Sequence, residues 1–172
     1  MNSPSTLVSA VVAALIAGWF SLRTTRNEYV NEYFKIVLSR RVNAYEEIEG
    51  LIANIKIAVL DKDQRPYHLL FSKDDDLDVV YLLLSRVMRH SLWLSDELFQ
   101  LTRDLNVLIY NGTEVESGLI EFGKSNYRTI AELRTKIEIC YSRDMLNLHN
   151  VPEFLKSKKP SDSYTPLLRT QG

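Results

Sequence analysis

The chain opens on a long apolar stretch. Residues 5–22, STLVSAVVAALIAGWFSL, contain eighteen positions without a charged side chain. At 1.5 Å per residue a helix of that length reaches roughly 27 Å, enough to cross a hydrocarbon core. The stretch is apolar or small on every face, which argues against a helix half-buried in a soluble core. A cleaved leader would carry basic residues ahead of the apolar stretch; here they follow it, and no small-x-small site precedes Arg23. The expectation is a single N-terminal transmembrane helix within residues 1–22.

Beyond Arg26 the pattern turns amphipathic. Val30, Phe34, Val37, Tyr45, Ile48, Ile52, Ile55 and Val59 step along one helical face, and Arg41 interrupts it where a carboxylate partner is expected. No proline lies between Pro4 and Pro66, so the helix can run on as one rod to about Leu60. Asp61 to Lys73 reads as a loop. Ser72 or Asp74 is the expected cap of a helix whose first turns hold Asp74, Asp75, Asp76 and Asp78, where carboxylates complement the dipole. Leu77 to Tyr110 reads as one long helix, or as two broken near Ser95, ended by Asn111-Gly112. That pair could instead turn a β-hairpin. Thr113 and Glu116 form a capping-box pattern. Ile130, Leu133, Ile137, Cys140 and Tyr141 carry a last helix to about His149, where Pro152 stops it.

The fold expected is all-α. One membrane helix precedes a cytosolic bundle of about three long helices over residues 23–150, with a mobile tail over 151–172. The 172 residues, 45% hydrophobic and 25% charged, suit one folded domain with appendages. A formal net charge of −1 gives no global basic field, so DNA is not an expected partner. Arg23, Arg26, Lys35, Arg40 and Arg41 against Glu28 and Glu32 make residues 23–45 locally basic, net +3. The positive-inside rule then sets a single pass through the inner membrane, N-terminus outside and bulk in the cytosol, with Trp19, Arg23 and Arg26 at the interface beside membrane lipids. Small residues at four-residue spacing, Ser9, Ala13 and Ala17 beside Ala10, Ala14 and Gly18, point to a homo-oligomer.

Candidate chemistry is sparse. His68, His90 and His149 have no partner at metal-ligand spacing, the consecutive aspartates lack the alternation of a calcium loop, and no phosphate loop, cofactor motif or nucleophile motif occurs. No enzyme, metal or cofactor is expected. The lone Cys140 reads as a packing residue. Two groups could hold an anion. Arg86, Arg89, His90 and Trp93, at i, i+3, i+4 and i+7, would share one helix face, with guanidinium forks for phosphate and an indole for stacking. Lys124, Ser125, Asn126 and Arg128 would sit at a helix start with free N–H groups. In each case the alternative is a packed or solvated face without a ligand.

The run Arg41-Val-Asn-Ala-Tyr45-Glu46-Glu47-Ile48 behind an N-terminal span resembles segments of many small bacterial membrane proteins. The whole layout is similar to small membrane effectors of prokaryotic antiphage defence, and in size and order to the cyclic-oligoadenylate-binding membrane proteins that accompany type III CRISPR systems. That resemblance implies an oligomer whose cytosolic domain binds a cyclic oligonucleotide and acts on the membrane. It assigns no site residue. The alternative expectation is a membrane-tethered scaffold or adaptor that binds a protein.

Overall fold

The computed structural model describes the backbone of residues 4–112 and 118–158, and the side chains of 14–112 and 118–158. Five α-helices account for most of these residues: α1 (Pro4–Lys56), α2 (Asp74–Arg89), α3 (Asp96–Gly112), α4 (Leu119–Leu146) and α5 (Val151–Ser157). The chain divides into two compact units, residues 1–38 and 39–172, and α1 contributes to both. The all-α class holds. One small antiparallel hairpin, β1 (Ala58–Leu60) and β2 (Pro66–His68), interrupts it.

In the first unit α1 is helical from Pro4, and the side chains from Ala14 to Tyr33 are all exposed. Among the described residues no helix is long and apolar enough to cross a membrane. Residues 5–13 of the uncharged stretch lie outside those whose side chains are described.

In the second unit α1 buries Arg41, Ala44, Tyr45, Ile48, Leu51 and Ile55, a stripe at three- and four-residue steps. The helix ends at Lys56, four residues before the expected limit. Val59 instead pairs with Tyr67 in the hairpin, with Ala58 opposite His68 and Leu60 opposite Pro66. The expected Asp61–Lys73 loop is therefore corrected. Gln64 takes a left-handed φ of 63° and closes the turn through its N–H to the Asp61 carbonyl at 2.9 Å. Pro66 has no N–H to offer the ladder and sits at its end, where none is required. A short 3₁₀ turn, Leu69–Phe71, then buries Leu70 and Phe71.

α2 has Asp74, Asp75 and Asp76 in its first turn. Neither Ser72 nor Asp74 caps it: Lys73 occupies the cap position without a side-chain bond, and the Ser72 hydroxyl donates to Asp76 at 2.7 Å. Leu77, Val80, Leu84 and Val87 form its buried face. The helix breaks before Ser95, the second of the two forms expected. Ser95 caps α3, its hydroxyl oxygen accepting the Leu98 N–H at 3.2 Å. α3 runs through Asn111 and Gly112, so no β-turn forms there. The Thr113–Glu116 capping pattern lies outside the described residues.

Two glycines permit close packing. A Cβ on Gly112 would stand 1.7 Å from the Phe122 ring, and one on Gly123 would stand 2.8 Å from the Phe71 ring. Phe71 and Phe122 meet edge to face at 5.1 Å, so the contact between α3, α4 and the 3₁₀ turn depends on both glycines.

The mobile tail from residue 151 is corrected as well. Pro152 lies in the first turn of α5, where its missing N–H costs nothing, and it starts a helix rather than only ending one. Val151 and Phe154 are buried. Lys158 donates to the carbonyls of Ser91 and Leu94, at 3.2 and 3.0 Å, and to Asp96 at 2.7 Å. Residues 159–172 lie outside the described ones.

Candidate functional site

Of the four residues expected on one helix face, the structure keeps Arg86, Arg89 and His90 at the end of α2 and takes Trp93 off it. Arg86 and Arg89 occupy the last turn of α2, His90 is the residue at its end, and Trp93 stands beyond it on a 3₁₀ turn, Ser91–Trp93. The i+7 register fails because the α-helix stops at Arg89. Arg86 points toward α1, with Nη1 3.9 Å from Glu47 Oε2. Arg89 is exposed and makes no ion pair among the described residues. Two cations at the C-terminal end of a helix also complement its dipole without any ligand.

The second group is not at a helix start. α4 begins at Leu119, so Lys124 lies in its second turn. Lys124 Nζ is 2.5 Å from Asp61, 2.9 Å from Asp63 and 3.7 Å from Glu121, and its side chain is only 6% exposed. Arg65 bridges Asp63 and Glu121, at 2.8 Å to each. Three carboxylates thus face two cations. Hydrogen bonds from Lys124 hold Asp61 and Asp63 below the usual carboxylate range, and Arg65 does the same for Glu121. The network pins the hairpin turn to α4 and occupies the lysine. Asn126 donates back to the Phe122 carbonyl at 3.0 Å; Arg128 is exposed.

The most connected polar site has no counterpart in the expectations. Asp144 Oδ2, on α4, accepts from the Tyr45 hydroxyl at 2.9 Å and from the Ser95 hydroxyl. The Ser95 N–H reaches the Tyr45 oxygen at 3.4 Å, and Cys140 Sγ lies 3.8 Å from Asp144. Arg143 covers the edge, bonding Glu97 at 2.9 Å and Cys140 Sγ at 3.0 Å. Burial, reinforced by the Asp144 charge, pushes the Tyr45 hydroxyl up to about 12 and the Cys140 thiol up to about 11. Both stay protonated at neutral pH. Cys140 is therefore a poor nucleophile, and no histidine bonds to Ser95 among the described residues, so that hydroxyl lacks the base a nucleophilic serine uses. The arrangement joins α1, α3 and α4.

Arg41 joins α1 to the segment that follows α4 and to α5. It is 3% exposed. Its Nη1 donates to the Leu148 carbonyl at 2.7 Å and its guanidinium lies 3.9 Å from the Phe154 ring centre. Among the described residues it pairs with no carboxylate, contrary to expectation. A sequence signal for both features existed. Arg41 lies on the stripe of Ala44, Ile48 and Ile55, and Asp144 follows Ile137 and Cys140 at i, i+3, i+7. A polar residue on a core stripe must find a buried partner.

The expected interface residues lie on α1. Arg23 stands over the Trp19 ring at 5.3 Å, and Trp19 meets Phe20 edge to face at 5.2 Å. Arg26 is exposed. Among the described residues no group of three or more His, Cys, Asp or Glu side chains is placed to hold a metal ion. Compared with protein-family models, with curated proteins and with solved structures, the chain matches none.

Proposed function

We propose that this chain is a membrane-tethered helical adaptor: the uncharged stretch 5–22 inserts in the inner membrane, and the bundle on the cytosolic side binds a protein partner. The observation that carries the reading is that one helix, α1, bears both the eighteen uncharged residues and the core stripe of the bundle. Trp19, Arg23 and Arg26 supply the aromatic and basic interface residues, and the charge bias orients the bundle inward. On the bundle, Arg86 and Lys124 already face carboxylates, and the polar cluster around Asp144 is internal, which weighs against a small anion at these places.

Flotation of the full chain with lipid vesicles, and resistance to alkaline carbonate extraction, test the tether. The chain is expected to float, and Leu15→Arg with Ile16→Arg to release it. A wild-type chain that stays in the soluble fraction overturns the reading. Crosslinking in cells that recovers one stoichiometric protein supports the adaptor role.

A second reading retains an oligomeric effector that binds a cyclic oligonucleotide. It is favoured by Arg89 and Arg128, exposed and without ion pairs among the described residues. Thermal stabilisation of the full chain by cyclic oligoadenylates, lost in Arg89→Ala, would move the assignment to it.

A further inference from the structure

In the first unit α1 carries a row of exposed apolar side chains. Leu15, Trp19, Leu22, Tyr29, Tyr33 and Ile36 are 69, 56, 75, 74, 45 and 59% exposed. With Arg26 included, they follow one another at steps of 4, 3, 4, 3, 4 and 3 residues. The mean step is 3.5, the period of a left-handed coiled coil. A straight helix drifts about 20° per heptad from such a repeat, so the row stays on one side only against a helix that winds with it.

The row crosses the proposed membrane boundary. Lipid can cover Leu15, Trp19 and Leu22. It cannot cover Ile36, which lies fourteen residues, roughly 21 Å, further along the helix. A soluble partner has the opposite problem. An element that covers the whole row must carry an uncharged part followed by an amphipathic part on the same period, and α1 itself meets that description. An antiparallel copy would lay the uncharged stretch of one helix against Arg23–Arg40 of the other. A parallel copy keeps each part in its own medium.

We propose that α1 pairs in parallel with α1 of a second copy along this row. The proposal rests on the membrane reading for its parallel sense. Leu22, Tyr29, Tyr33 and Ile36 then meet their own counterparts. Arg26 is the one charged member. Its long stem packs on the row while its head turns outward, an interruption that fixes register at some cost in stability.

Single cysteines test the proposal in the full chain, reconstituted in vesicles and treated with a mild oxidant. Tyr29→Cys, Tyr33→Cys and Ile36→Cys are expected to give disulfide dimers. Asn31→Cys and Lys35→Cys, on the outer side of the same turns, should give none. The unsubstituted chain is the blank, because Cys140 is buried. Dimers at both 29 and 36 require parallel helices, since an antiparallel axis passes through only one of them. No dimer at the row positions, or equal dimer at all five, overturns the pairing. Flotation of the same samples separates the two readings: row dimers without flotation refute the membrane tether and leave the pairing standing, and flotation without row dimers does the reverse.

Discussion

The Tyr45 hydroxyl donates to Asp144 Oδ2 at 2.9 Å, across 99 positions of sequence. Ser95 bonds the same oxygen, so one carboxylate fixes the mutual placement of three helices. Asp144→Ala leaves two donors without their acceptor and is expected to cost about 2–4 kcal/mol. Asp144→Asn can keep an oxygen where both hydroxyls point, but its NH2 then faces the Arg143 guanidinium in place of Oδ1, and it should cost about half of that. Tyr45→Phe is expected to cost about 1 kcal/mol, and much less once Asp144 is already Ala. Chemical denaturation of the four chains closes the cycle. Additive losses would show that the two residues do not act together.

Arg41 makes a separate prediction. Arg41→Ala removes a charge-assisted bond to the Leu148 carbonyl and the packing on Phe154, an expected loss of about 2–3 kcal/mol. Arg41→Lys keeps the charge but not the flat stacking group and should fall between the two. Hydrogen exchange locates the effect. Amides of Val151–Ser157 should lose protection first, ahead of those in α3.

The contact between Gly112 and Phe122 permits no added atom. Gly112→Ala is expected to lower stability by about 2–3 kcal/mol, because the new methyl overlaps the ring. Trimming the ring in Gly112→Ala with Phe122→Leu should return part of the loss, seen as a rise in Tm over the single variant. A double variant weaker than the single one would assign the cost to something other than that overlap.

His68 gives a pH dependence. It is 1% exposed, stacked on Tyr127 at 4.9 Å, and burial lowers its pKa below the ordinary 6.5. The unfolded chain therefore takes up a proton before the folded one does. Stability from the neutral ring is full above 6.5 and declines as pH falls below that value toward the folded pKa. Tm should drop between about pH 7 and 5, a window above the titration of most carboxylates. His68→Phe should flatten that interval. An unchanged slope would place its origin in other groups.

The parts of the fold legible in the sequence are those where a period repeats often enough to be read. Leu77, Val80, Leu84 and Val87 declare α2, and Ile130, Ile137 and Cys140 declare α4. The hairpin was not legible, because strands of three residues contain no period. Pro152 misled in a different way: a proline ends one helix and begins the next with the same lack of an N–H. The polar cluster was legible only in outline. The core position of Arg41 was visible, but its partner is a backbone carbonyl, which sequence does not mark. The anion-binding arrangement at Arg86–Trp93 assumed one unbroken helix, and the break before Ser95 takes Trp93 off it.

The bond from Arg41 to Leu148 spans 107 residues, and its consequence falls during synthesis. Chains emerge from the ribosome at about 5–20 residues per second, so Arg41 waits roughly 5–20 s for its acceptor to be made. Through that interval the inner stripe of α1 has neither Asp144 nor α5 to close it. The nascent bundle offers an open apolar strip, with a cation and a phenol in its midst, until almost the last of its helices is translated. Stalling the chain just before residue 144 should leave that strip accessible to chaperones, and releasing it past residue 157 should seal it.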